Sequence, residues 1–206
     1  MRVGYVVFIS LPKYECFTLW YRRKMTDEFK HQQALLSHVT ANRFDVVKLC
    51  VDRGAFVSGE CLVEGVSNAA MTKFLLEHGA RLDGKNRDGL TALQVASTNR
   101  TSVDTISLLL QYGADPNASD LIGRTCLHTS VSSRVISVLL RAGGDPNLKT
   151  KKQGMTALHY AAKRDDGDVI CTLLANDKTR VNEKNEDGLT AYVLVFSHLL
   201  FFTVFE

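Results

Sequence analysis

A short phrase returns down this chain at intervals that bound what it can fold into. Asp88-Gly89-Leu90-Thr91-Ala92-Leu93 comes back as Ile122-Gly123-Arg124-Thr125-Cys126-Leu127-His128. It returns again as Gln153-Gly154-Met155-Thr156-Ala157-Leu158-His159, and a last time as Asp187-Gly188-Leu189-Thr190-Ala191. The glycines of the phrase lie 34, 31 and 34 residues apart. A second phrase falls between them: Gly79-Ala80-Arg81-Leu82-Asp83, Gly113-Ala114-Asp115-Pro116-Asn117 and Gly143-Gly144-Asp145-Pro146-Asn147. A period of this length marks a stacked solenoid, in which no unit can bury its apolar face alone. Such a stack offers a surface before it offers a reaction centre.

Each residue of the phrase has a physical task. Gly89, Gly123, Gly154 and Gly188 stand where a tight turn requires positive φ, which is cheap without a side chain. Thr91, Thr125, Thr156 and Thr190 precede apolar runs, where a hydroxyl can cap the open N–H groups of a helix. Further on, Ile106/Leu109/Leu110, Val135/Val138/Leu139 and Val169/Leu173 repeat at helical spacing. Gly113 and Gly143 then stop these helices, with Pro116 and Pro146 shortly after.

The paired phrases resemble those of the ankyrin repeat family. The resemblance covers about residues 32–191. It implies an all-α solenoid of stacked helix-turn-helix units joined by β-turn finger loops. Residues 84–117, 118–147 and 148–182 fit the family pattern well, 32–58 diverge, 59–83 form a shortened repeat, and 183–191 are incomplete. In the shortened repeat, Cys61 to Ala70 are expected to form a stunted first helix and Met71 to Glu77 a second. Where the family carries Pro in the first helical turn, this chain has Ala92, Cys126, Ala157 and Ala191. The family's His, present as His128 and His159 and replaced by Gln94, implies a structural tie between adjacent loops rather than a catalytic base.

Composition narrows the function classes. A net charge of +3 is too small to argue for nucleic acid or an anionic membrane. The five cysteines (Cys16, Cys50, Cys61, Cys126, Cys171) are scattered, without a Cys-x-x-Cys, which suits free thiols in a reducing compartment. The resemblance likewise implies an intracellular protein, cytoplasmic or nuclear. Cys126-x-His128 lies inside the repeat phrase, and a closed zinc site needs four ligands, so packing is the better reading. Asp165-Asp166-Gly167-Asp168 lacks the spacing and terminal Glu of a calcium loop, and reads as a solvated turn. No activated nucleophile, phosphate-cradling loop, metal or cofactor site is expected, and the chain is expected not to be an enzyme.

The ends fall outside the pattern. Residues 1–31 are expected to be a disordered or weakly helical extension, and residues 1–24 to be either a true extension or an overlong gene reading that should start at Met25. Residues 192–206 are apolar and short for a membrane span. They read as the mark of a truncated or spliced product, as an improvised cap, or as an anchor. An exposed apolar patch with a risk of self-association is expected there; the repeats themselves are expected to be monomeric, and a membrane location is not expected.

Partner binding in this family runs through the turn tips and the exposed face of the first helices, which form a concave groove. By position, the resemblance implies Arg87, Asp88 and Leu90; Leu121, Ile122 and Arg124; Lys151, Lys152, Gln153 and Met155; and Glu186, Asp187 and Leu189. Thr98, Asn99, Ser132, Ser133, Lys163 and Arg164 add the helix ends. Leu121 and Ile122 are adjacent apolar residues on a tip that should be wet; they either anchor a partner or pack on the neighbouring tip. Lys149, Lys151 and Lys152, with Lys163 and Arg164, form either a basic patch for an acidic segment or a solvated loop. The expected partner is a protein. Asn117, Asn147 and Asn182 follow Leu109, Leu139 and Leu174 by eight residues, and the resemblance makes them candidate sites of asparaginyl hydroxylation. An alternative function is the repeat-bearing fragment of a larger protein: a ubiquitin-ligase adaptor, a channel or an enzyme.

Overall fold

The computed structural model describes residues 32–98 and 102–195. The expectations for residues 1–31, Asn99, Cys16 and residues 196–206 lie outside them. Helices come in pairs: α1 (residues 32–40) with α2 (Phe44–Asp52), α3 (Gly59–Gly65) with α4 (Ala69–Glu77), and α5 (Ala92–Thr98) with α6 (Val103–Gln111). Then come α7 (Cys126–Thr129) with α8 (Ser133–Arg141), α9 (Ala157–Lys163) with α10 (Gly167–Leu174), and a last helical turn, α11 (residues 191–195). Among the described residues the only extended pairing is two isolated bridges, Lys85 with Thr91 and Lys184 with Thr190, at the bases of two turns. No helix among them is long and apolar enough to cross a membrane.

Packing divides the helices into two rows. In the inner row α3 touches α5, α5 touches α7 and α7 touches α9; in the outer row α4, α6, α8 and α10 follow one another in the same way. Between the rows runs one continuous core. Leu62, Leu93, Leu127 and Leu158 fill it from the inner row, and Leu75, Leu109, Leu139 and Leu173 from the outer. Burying a leucine of this kind is worth about 1.5–3 kcal/mol, and each is shared between neighbouring repeats, so the stack is stabilised by interfaces rather than by isolated units.

Local signals place the helix ends. Asn68 accepts from the N–H groups of Ala70 and Met71 at 2.9 and 3.2 Å, Ser102 from Asp104 N–H at 3.1 Å, and Asp166 from Val169 N–H at 3.2 Å. Asp166 is thus a helix cap, as a solvated turn between α9 and α10 requires. The four turn glycines have φ of +74, +86, +60 and +76° at Gly89, Gly123, Gly154 and Gly188, so the conformational demand read from the phrase is met.

The shortened repeat differs from its expected form. Its first helix is not stunted: α3 spans Gly59–Gly65, as long as α5 and α9, and α4 begins at Ala69. What is missing is the finger. Residues 55–58 alone join Gly54 to α3, whereas residues 80–91 separate Gly79 from α5. The following turn therefore descends onto α3. A Cβ on Gly59 would stand 2.6 Å from the Gly84 Cα and 2.8 Å from the Arg81 carbonyl oxygen, a backbone approach that only glycine permits.

Candidate partner-binding surface

Each finger is built around one acceptor at its base. Asn86 takes the N–H groups of Asp88 and Leu90 on its side-chain oxygen, both at 3.0 Å. Asp120 takes those of Ile122 and Arg124 at 3.1 and 2.8 Å, Thr150 that of Met155 at 3.1 Å, and Asn185 that of Leu189 at 2.8 Å. These side chains mimic a backbone turn and hold the tip in one shape. Burial pushes the Asp120 carboxyl up, but its bonds to the Arg124 guanidinium and to backbone N–H groups outweigh this and hold it below the usual carboxylate range.

The fingers are then fastened to the inner helices and to each other. Thr125 and His128 form a capping box: Thr125 N–H donates to His128 Nδ1 at 3.1 Å, and the hydroxyl lies 2.9 Å from the same nitrogen. The other ring nitrogen, Nε2, donates to the Met155 carbonyl of the next finger at 3.1 Å. Thr156 and His159 repeat the arrangement, reaching Leu189 O at 3.1 Å. Gln94 does both tasks with an amide: its oxygen accepts from Thr91 N–H at 2.9 Å, and its nitrogen donates to Ala118 O and Arg124 O at 3.1 Å each. The loop-tying role implied for these positions is therefore present. Burial pushes both imidazoles below their ordinary pKa, which keeps Nδ1 a free acceptor near neutrality. Beside His128, burial pushes the Cys126 thiol up to about 12, so it stays a packed, unreactive thiol.

Finger-to-finger bonds complete the row. Lys151 N–H donates to Ile122 O and Glu186 N–H to Gln153 O, both at 3.0 Å. Lys85 Nζ reaches Ser119 O at 3.2 Å, Lys151 Nζ reaches Leu121 O at 3.2 Å, and Lys149 Nζ reaches Lys184 O at 2.9 Å. On the far side of the stack, Asn117 accepts from Asp145 N–H at 2.8 Å and donates to Gly143 O at 3.1 Å. Asn147 accepts from Arg180 N–H and donates to Lys178 O, both at 2.8 Å. The repeat phrases alone do not reveal these staples or the finger-base acceptors. A polar residue three or four places before each turn glycine was the available signal.

The expected contact residues fall into three groups. Arg87, Asp88, Leu121, Ile122, Lys151, Lys152 and Gln153 are exposed at the tips. Leu121 is 70% and Ile122 43% exposed, although Leu121 also lies against Gly89 of the preceding finger. Leu90, Arg124 and Arg164 instead line one concave cleft of about 290 Å³ with Gln94, Thr98, His128, Thr129 and Tyr160. Met155 leaves the surface: it is 4% exposed, because the Thr150 turn and the His128 bond draw its backbone into the stack. Within the basic run, Lys149 is paired with Glu183 at 2.9 Å, and this bond holds the Glu183 carboxyl below its usual range. Lys152 and Lys163 are exposed, and their ammonium groups meet no acceptor among the described residues. Arg164 is anchored, donating to His128 O at 2.9 Å and Ser130 O at 2.8 Å.

Comparison with known proteins agrees with this architecture. The family described as "Ankyrin repeats (3 copies)" matches residues 61–120 and 119–185, more than half of the chain, and the chain belongs to it. Its similarity to "Ankyrin repeat domain-containing protein 63" of Homo sapiens is 32% identity over 112 residues, 51% of this chain and 29% of that protein. With "Mitochondrial disaggregase" of Bos taurus it shares 33% over 131 residues, 60% of this chain and 19% of that protein. With "Transient receptor potential channel pyrexia" of Drosophila melanogaster it shares 39% over 74 residues, 34% of this chain and 8% of the channel. The chain thus matches less than a third of the length of each.

Proposed function

We propose that residues 32–191 are a non-enzymatic interaction module that binds a protein partner through the concave face of the fingers and inner helices. One observation carries this reading. The tips are cross-bonded into a rigid row, yet that row still leaves large apolar side chains in water at Leu121 and Ile122. Rigid scaffolding with exposed anchors is what an interface needs, because a few buried contacts supply most of its energy and preorganisation lowers the ordering cost. The module acts as a cytoplasmic or nuclear monomer. The candidate hydroxylation sites differ in setting: the amides of Asn117 and Asn147 are both engaged as staples, and Asn182 is exposed. A one-oxygen mass shift on a peptide bearing Asn182 is the expected trace.

The test is a peptide-display selection on the full chain, followed by binding to Ile122→Asp and to Arg141→Glu at the end of outer helix α8. Loss on the first and none on the second is expected; the reverse pattern would place binding on the outer face.

A second reading is favoured by one specific feature. Leu158, Ala162, Ile170, Leu174, Val181, Ala191, Tyr192 and Val195 line an apolar cleft of about 250 Å³ beside α11, where a further helix would stack. On this reading the chain is the repeat-bearing part of a larger protein, and relatives named as a channel and a disaggregase are consistent with it. A transcript read across the Ala191 codon tests it: resumption of the Leu-His-x-Ala-Ala phrase supports the larger protein, and the sequence as written opposes it.

A further inference from the structure

We propose that the cleft between Arg124 and Arg164 recognises an aspartate or glutamate side chain, next to an apolar residue, on an extended segment of the partner. The inference rests on the concave-face reading and names the chemistry that face selects. Its lining combines two guanidinium groups with apolar and neutral polar side chains. Arg124 comes from the second finger, Arg164 from the end of α9, and Leu90 and Tyr160 share the lining with them. Among the described residues no carboxylate lines it. The His128 ring lies edge-on to Tyr160 at 5.4 Å, and burial pushes its pKa below the ordinary value, so it adds little charge near neutrality.

The two guanidiniums are incompletely used. Arg124 holds Asp120 through Nε at 2.7 Å, and among the described residues its two terminal nitrogens have no acceptor. Asp120 in turn spends its other oxygen on the N–H groups of Ile122 and Arg124. Arg164 is fixed by two carbonyls, which satisfy hydrogen bonds but leave its charge without a carboxylate within ion-pair distance among the described residues. Burial lowers its pKa, and the Asp166 carboxylate, beyond ion-pair distance, offsets this only in part. An incoming carboxylate supplies counter-charge and can accept from the planar fork of Arg124. Leu90 and Tyr160 then cover the neighbouring apolar side chain and thin the water around the ion pair.

The experiment uses the full chain and two random dodecapeptide display libraries, one complete and one lacking Asp and Glu. The complete library should yield binders with an acidic residue beside an apolar one. A synthetic labelled peptide from the leading clone should bind about tenfold more weakly when its Glu is changed to Gln, a loss of the size given by a charged hydrogen bond. Arg124→Gln and Arg164→Gln should each weaken the Glu peptide by about as much and leave the Gln peptide nearly unaffected. The peptide-side change leaves the protein intact, so a poorly folded Arg164 variant does not cloud the result. Equally tight binders from the acid-free library, or a Glu peptide indifferent to both arginines but lost on Ile122→Asp, would overturn this assignment and keep the concave face. Binders indifferent to every concave substitution would overturn both.

Discussion

The stack meets its neighbours in two different ways on either side of Gly84. Beyond it, from α5 to α11, polar side chains join one repeat to the next: Gln94, His128 and His159 each cap their own helix and reach the following finger. Before it, Ser58 caps α3 and Cys61 occupies the matching place three residues on, fully buried. A thiol cannot reach across to a finger as an imidazole does. The chain instead brings backbone onto backbone at Gly59 and Gly84, and packs Phe44 edge-on against Phe74 at 5.5 Å. Asn42 and Asn68 add a side-chain bond of 2.9 Å. The following finger is present here, but a thiol faces its carbonyls in place of a polar side chain, and close packing stands where the other repeats have hydrogen bonds.

The contrast breaks most sharply at Gly59. Ala is ordinarily better than Gly in a helix by about 1 kcal/mol. Here Gly59→Ala is expected to destabilise by about 3 kcal/mol, because its methyl would meet the Arg81 carbonyl and Gly84 Cα, and backbone yields less readily than side chains. Urea unfolding measures it, and a stabilised variant would mean that the two repeats do not touch in this way.

On the other side the expected effect is smaller. His128→Ala removes a cap and an inter-finger bond from a buried site and should cost about 2 kcal/mol. His128→Gln should cost less than half as much, since Gln94 makes both bonds in the neighbouring repeat. Equal losses for the two variants in thermal unfolding would show that ring packing, such as the contact with Tyr160, outweighs the hydrogen bonds.

How much of this was legible depends on whether a residue acts locally. The turn glycines, capping threonines and core leucines act within their own repeat, so the periodic phrase exposes them. Asn117 and Asn147 act across about thirty residues, and in sequence they look like ordinary turn asparagines. Arg164 likewise reads as surface charge until its guanidinium is seen against the His128 and Ser130 carbonyls. Met155 sits at a finger position where its siblings Leu90 and Arg124 remain partly accessible, and the one-residue-longer turn at Thr150 helps carry it inward. The cleft is half visible in the sequence: the resemblance implies Leu90, Arg124 and Arg164, but from separate repeats, and nothing in their spacing joins them.

Acid separates the two kinds of junction more gently. The folded pKa values of His128 and His159 are lowered by burial, against about 6.5 in an unfolded chain. Their contribution is therefore fully present above about pH 6.5 and is lost as pH falls from there through the lowered folded values, because the unfolded chain binds those protons first. Stability should decline over this window. A His128→Gln/His159→Gln double variant should flatten that part of the profile, while Cys61→Ser should leave its slope alone. Unfolding midpoints between pH 7.5 and 5 read the difference.

The smallest stability effect belongs to the tips. Lys151→Glu with Lys152→Glu should change stability by less than about 0.5 kcal/mol, since the Lys152 ammonium meets no acceptor among the described residues and the Lys151 ammonium makes one exposed bond. That near-silence is what makes the pair useful. If the charged tips steer an acidic segment toward the cleft, the double variant weakens the association rate, and the wild-type rate falls as salt rises while the variant's does not. If the dissociation rate changes instead, the lysines touch the bound partner, and the contact surface extends from the cleft up to the third finger. Stopped-flow binding of the Glu-bearing peptide at two ionic strengths distinguishes steering from contact, and a protein whose unfolding curve has not moved makes either result one about recognition rather than folding.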